Sequence, residues 1–230
     1  MAEFVFPPAP QMIVPVADGR VFPVRRVFCV GRNYEAHARE MGNDPAREPP
    51  FFFTKPADAL VTGRQDTPYP SQTSNFHHEI ELVVAIGTRG RDISVAEALS
   101  HVFGYAVGLD LTRRDLQDEA KATRRPWDMS KAFDASAPIS EIVPATLIGH
   151  PAAGRITLKV NGEIRQSGDL GDQIWPVPDI ISTLSRFLVL APGDLIFTGT
   201  PSGVGAILPG DVLEGEIESV GKLYTKILGR

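Results

Sequence analysis

Along the chain, apolar and polar positions alternate over short stretches more often than they recur every three or four residues, which predicts many short strands and few helices. Phe76 to Ile86 has the β-branched, apolar content of a strand, with Glu79, Glu81, Val83 and Ala85 on one face and Ile80, Leu82, Val84 and Ile86 on the other. A second apolar strand runs from Val102 to Leu111, interrupted only by Asp110. Phe51 to Thr54 is strand-like and stops at Lys55-Pro56. Ile156, Leu158 and Val160 alternate with polar residues up to the hairpin signal Asn161-Gly162. Leu195 to Thr198 and Val212 to Ile217 are short strands beside the turns Pro192-Gly193-Asp194 and Pro209-Gly210-Asp211.

Helical signals are fewer. Asn33 is placed to cap a helix through about Met41, with Gly42 in the C′ position, and residues 32–50 have the make-up of a lid. Ser94 with Glu97, and Thr112 with Asp115, read as capping boxes, the second for a helix carrying Arg114 and Gln117 and broken by Pro126. Pro178 to Phe187 has helical spacing. The proline-rich residues 1–23 read as an extended arm, and without a repeat or a composition break residues 24–230 form one α+β domain dominated by β-structure.

Composition narrows the function classes. The 230 residues are 43% hydrophobic and 22% charged, as in a folded globular protein, and 21 Gly with 20 Pro fit a turn-rich β-protein. A net charge of −5 with scattered cations speaks against nucleic acid as a partner. The single Cys29, in an apolar run, excludes a disulfide framework and points to a reducing cytoplasm. The sequence has no apolar run of membrane-spanning length, and its first residues lack the pattern of a signal peptide, so neither membrane nor export is expected.

Two carboxylates on one face of an apolar strand, with a third inside another, would each cost several kcal/mol if buried bare. Glu79, Glu81 and Asp110 therefore suggest a hard cation held by oxygen, Mg²⁺, Mn²⁺ or Ca²⁺. Glutamates solvated on an edge strand are the ordinary alternative, and His77 with His78 would suggest Zn²⁺, although His78 points to the other face. His37 and Glu40 share a helical face, where one can orient the other for proton transfer from water; a small surface pair is the bland reading. Lys131, among small and apolar neighbours, is either a fixed active-site charge or an exposed lysine. The run Gly199-Thr200-Pro201-Ser202-Gly203 lacks the spacing of a nucleotide loop, leaving at most a turn that offers N–H groups and the Thr200 hydroxyl to an anion.

The order of these motifs carries more than any one of them. Gly31-Arg32-Asn33-Tyr34 before His37 and Glu40, then Phe53-Thr54-Lys55-Pro56, His78-Glu79-Ile80-Glu81-Leu82, Gly108-Leu109-Asp110-Leu111-Thr112, Arg114-Asp115-Leu116-Gln117, Lys131-Ala132-Phe133-Asp134, Leu158 to Gly162 and Thr198-Gly199-Thr200-Pro201 follow one another over residues 24–228. This series resembles the fumarylacetoacetate hydrolase family, nearest its short acylpyruvate and fumarylpyruvate hydrolase branch. The resemblance implies a multi-layer mixed β-sheet roll, usually homodimeric, with Mg²⁺ or Mn²⁺ on Glu79, Glu81 and Asp110. It also implies that His37 and Glu40 activate water, that Lys131 is an active-site cation, and that Arg114, Gln117 and Thr200 face substrate. The expected reaction is hydrolysis of a C–C bond in a 1,3-diketo acid, fumarylpyruvate giving fumarate and pyruvate. Arg32, Lys55 and Arg47 are the candidate cations for its distal carboxylate. Oxaloacetate decarboxylation and a 2-hydroxymuconate-type isomerisation or decarboxylation are competing chemistries, and a Ca²⁺-stabilised β-domain without activity is the competitor from another class.

Overall fold

A computed structural model describes residues 4–40 and 49–229. Its centre is a six-stranded mixed sheet in the order Val143–Pro144, Val102–Leu109, Ile80–Ile86, Asp194–Phe197, Arg26–Gly31, Phe51–Lys55. Only the Asp194–Phe197 and Arg26–Gly31 pair is parallel. A second sheet runs Glu163–Asp169, Arg155–Val160, Val212–Ile217, Gly221–Leu228, Thr67–Pro68. Its hairpin turns at Asn161 and Gly162, both with positive φ (53° and 82°), the conformation that makes Asn-Gly informative.

The alternation in Ile80–Ile86 decides how the layers stack. Ile80, Leu82, Val84 and Ile86 belong to the larger core, with Ile156, Leu158 and Leu213 of the second sheet and Ile180, Ile181 and Leu184 of the helix Val177–Phe187. Val83 and Ala85 belong to a second core on the opposite side, with Leu195, Phe197 and Val14, Val16 and Phe22 of the N-terminal segment. A strand buried on both faces is a central strand, so the edge-strand reading of Glu79 and Glu81 fails.

Several local expectations change. The predicted strand Phe76–Ile86 breaks at Glu79, into Phe76–His78 and Ile80–Ile86. The N-terminal arm contains a small hairpin, Ile13–Pro15 against Val21–Pro23. Asn33 does not cap the helix Glu35–Glu40: its amide donates to the carbonyls of Trp175 and Thr198 and its oxygen accepts from the Trp175 N–H, a tie between distant segments. Residues 41–48 of the predicted lid, Met41 and Gly42 among them, lie outside the described residues. Ser94 does bond Glu97, but the element after it is a 3₁₀ turn at Ala98–His101. The helix Arg114–Thr123 forms without the Thr112 cap, since the Thr112 hydroxyl donates to the Asp110 carbonyl and Asp115 accepts from Thr73 and Ser74. No described helix is long and apolar enough to cross a membrane.

Candidate active site

The strand pairing itself gathers the acids. Ile80 faces Leu109 and Glu81 faces Gly108 in the antiparallel ladder. One step beyond its end, Asp110 donates its N–H to the Glu79 carbonyl at 2.8 Å. Glu79 and Asp110 are thus cross-strand neighbours, Glu81 lies two residues along on the same face, and Gly108 opposite it has no room for a side chain, since an added Cβ would lie 2.5 Å from Phe197 and Val83. Oxygens of the three carboxylates lie within 4.8 Å of one another, and all three residues are buried.

Cations surround this group unevenly. Lys131 Nζ donates to Glu79 Oε2 and to Asp110 Oδ2, each at 2.7 Å. The Arg114 guanidinium bonds Glu79 and also reaches the Gln117 carbonyl at 2.5 Å. Lys55 Nζ lies 2.9 Å from Asp110 Oδ1, but off the hydrogen-bonding direction, so that buried oxygen has no hydrogen bond. Burial alone would raise the Glu79 carboxyl, but Lys131, Arg114 and His37 hold it well below the usual carboxylate range. Burial and then its acidic neighbours Asp110 and Glu79 push Glu81 well above that range, against Lys131 and the Gly199 N–H that donates to it at 2.8 Å. The Lys131 ammonium, which burial disfavours, is kept charged by Asp110 and Glu79.

An acid without an ion-pair partner among the described residues and an unbonded buried oxygen beside it are the features a further cation would satisfy. The donors are all carboxylate oxygens, the set that suits Mg²⁺ or Mn²⁺. His77 and His78 do not join them. His78 Nδ1 pairs with Gln166 Oε1 at 2.8 Å, and His77 Nε2 pairs with Asn75 Oδ1 at 2.8 Å, so the Zn²⁺ alternative fails.

A small cavity opens over the acids, walled by His37, Arg32, Phe53, Arg114, Gln117, Lys121, Trp127, Lys131 and Thr200. His37 is 6% exposed, and its Nδ1 is 3.2 Å from Glu40 Oε2. Glu40 is not among the residues that line the cavity and is reached by the Gly203 N–H at 3.3 Å. Burial lowers the His37 imidazole below its ordinary value, favouring the neutral ring. The turn at Gly199 offers its N–H not to an external anion but to Glu81; its φ of 95° and the 2.6 Å that would separate an added Cβ from Asn33 require glycine there.

Of the residues expected at this site, His37, Arg32, Arg114, Gln117, Lys131, Thr200, Glu79, Glu81 and Asp110 wall the cavity. Lys55 does not, which corrects its assignment to a substrate carboxylate. Its side chain is fully buried and held by Asp110 and by the carbonyls of Leu111 and Lys131. Arg47 lies outside the described residues. Gln166 is an addition that sequence reasoning misses: buried in a strand that reads as polar, it accepts from the Ile80 N–H and donates to Thr200 and the Pro201 carbonyl.

The buried histidines carry a pH signature. Burial lowers His78 and brings His77 down to about 4, with Arg114 as a second cause for His77. Stability from such groups is complete above the unfolded value near 6.5 and is lost as pH falls toward the folded values. These histidines should therefore lower the melting temperature of the metal-free protein progressively from pH 6.5 to 4, against the opposite contribution of Glu81. The decline should be shallower in His78→Gln; parallel melting curves for the two proteins would contradict this.

Fold and site together define a β-rich enzyme built around an all-carboxylate divalent-metal centre. The chain belongs to the fumarylacetoacetate (FAA) hydrolase C-terminal family, which residues 26–228 match. A fumarylpyruvate hydrolase from Pseudomonas aeruginosa, solved with Mn²⁺ and pyruvate, is 52% identical with a TM-score of 0.97, covering 99% of this chain and all of its own. Oxaloacetate tautomerase FAHD1 of Rattus norvegicus is 43% identical over 203 residues, 88% of this chain and 91% of its own. Oxaloacetate decarboxylase of Dictyostelium discoideum is 43% identical over 191 residues, 83% and 87%.

Proposed function

We propose that the protein hydrolyses the C–C bond of an acylpyruvate in the cytoplasm, with fumarylpyruvate as substrate and fumarate and pyruvate as products. The observation that carries this reading is His37, backed by Glu40, on the wall of the cavity whose floor is the acid triad. The likeness to the fumarylpyruvate hydrolase solved with Mn²⁺ and pyruvate supports it.

Mg²⁺ or Mn²⁺ on Glu79, Glu81 and Asp110 would supply the Lewis acidity that makes the pyruvate enolate an acceptable leaving group. The remaining work belongs to the chain. Neutral His37, its Nδ1–H directed at Glu40, has Nε2 available to take a proton from water as the water attacks the distal carbonyl. This makes Glu40 the orienting group and His37 the base, the reverse of the order that treats Glu40 as the base. Gln117, fixed by Arg114, offers its amide to the developing oxyanion, and Lys131 keeps positive charge where the substrate gathers negative charge. The same proton store serves to protonate the departing enolate.

The oxaloacetate-directed relatives give a second reading, in which the enolate chemistry proceeds without attack by water. The test is a panel of fumarylpyruvate, acetylpyruvate and oxaloacetate with Mg²⁺ and with Mn²⁺. Fumarylpyruvate should have the highest kcat/KM. A clear preference for oxaloacetate would overturn the hydrolase reading while leaving the family membership intact.

A further inference from the structure

Beside the catalytic cavity lies a larger one of 640 Å³ that the reaction scheme above does not use. The two share Arg32, Phe53, Trp127 and Lys131, so they meet along a common wall. Its size falls within the ~300–1,000 Å³ of small-molecule sites. The wall is aromatic: Trp127 meets Phe51 edge-on at 4.9 Å and Phe53 at 5.9 Å between ring centroids. Flat, unsaturated chains pack well against such rings.

The charge on this wall has a particular source. The helix Arg114–Thr123 ends in a left-handed residue, Arg124 (φ 55°), and the Arg125 N–H returns to the Ala120 carbonyl at 2.8 Å. This reversal, with Pro126 next, brings Arg125 and Trp127 onto the cavity wall. Of the other cations there, Lys131 is held by Glu79 and Asp110, and Arg32 is already engaged in an interaction of its own. Asp128 is the one acid among the lining residues, against the cations Arg32, Arg125 and Lys131.

We propose that this cavity receives the acyl group of the substrate and that Arg125 selects acyl groups ending in a second carboxylate. The proposal rests on the acylpyruvate hydrolase reading and deepens it. It gives the distal-carboxylate role to a residue outside the set Arg32, Lys55 and Arg47. A flat enedioate lies along Phe51, Phe53 and Trp127 with its carboxylate at the guanidinium fork, whereas an acetyl group fills little of the space and reaches no cation. Arg125 is a specificity residue: it takes no part in bond making or breaking.

The experiment compares wild type, Arg125→Ala and Arg125→Lys, Mn²⁺-loaded, on fumarylpyruvate and acetylpyruvate. The ratio of kcat/KM for fumarylpyruvate over acetylpyruvate should fall about ten- to hundredfold in Arg125→Ala, mostly through KM for fumarylpyruvate, the size of a lost charge-assisted bond. Arg125→Lys should lie between, since lysine keeps the charge and loses the fork. Mn²⁺ affinity measured alongside reports whether the variants are intact. A ratio that does not change in variants that still bind Mn²⁺ overturns the role of Arg125 and leaves the hydrolase reading standing. A wild type inactive on every acylpyruvate overturns both.

Discussion

Glu81→Gln is expected to lose metal and turnover while gaining stability. In the metal-free protein Glu81 is buried beside two other acids, with a backbone N–H as its hydrogen-bond donor, and its carboxyl is held well above the usual range. A folded value above the unfolded one means that its stabilising contribution is complete below about pH 4.5 and is lost as pH rises through the folded value. At pH 8 the metal-free wild type is therefore destabilised by Glu81, and a divalent cation would relieve this. Glutamine keeps an oxygen for the Gly199 N–H, offers N–H groups to the unbonded Asp110 Oδ1, and does not titrate. The variant should melt higher than metal-free wild type at pH 8, show no such gain at pH 4, and bind Mn²⁺ at least about a hundredfold more weakly, with turnover lost. Thermal melts with chelator and with Mn²⁺ check all three. A variant less stable than wild type at pH 8, or one with unchanged Mn²⁺ affinity, would contradict the assignment.

The second large effect separates hydrolysis from the oxaloacetate chemistry. A positioned base is worth ~10²–10⁴ in rate. His37→Ala should lower kcat on fumarylpyruvate by about that factor, and Glu40→Gln by less, since it disturbs the orientation of the ring and leaves the ring in place. Decarboxylation of oxaloacetate needs no attacking water, so any side activity on it should fall far less in both variants. Equal losses on the two substrates would show that His37 serves enolisation in general and would remove the argument for a hydrolase.

What the sequence reveals and what it hides divide along a physical line. The period-two pattern of Ile80 to Ile86 is a property of neighbouring residues, and it places Glu79 and Glu81 on one face, although only the packed layers show that both faces of the strand are buried. Asp110 is visible because a lone charge in an apolar strand demands a partner. Asn33 misleads because its local setting favours a cap, while its partners Trp175 and Thr198 are more than 140 residues away. Lys55 misleads for the same reason: a lysine before a proline at a strand end looks available, and only the packed fold puts Asp110 and two carbonyls around it. Gln166 gives no signal at all, since its strand shows mostly polar residues and burial comes from contacts to His78, Ile80 and Thr200. Arg125 stands in a basic, exposed-looking stretch, and its place on a cavity wall comes from the left-handed turn at Arg124.

The most direct measurement of the central claim tracks oxygen. Fumarylpyruvate should be turned over with Mn²⁺ in H₂¹⁸O and the products analysed by mass spectrometry, with a chelated sample beside it. Attack of water on the distal carbonyl predicts one ¹⁸O in the new carboxylate of fumarate, one pyruvate for each fumarate, and no products with the metal removed. Fumarate without the label, or products formed equally well in chelator, would contradict metal-dependent hydrolysis at Glu79, Glu81 and Asp110.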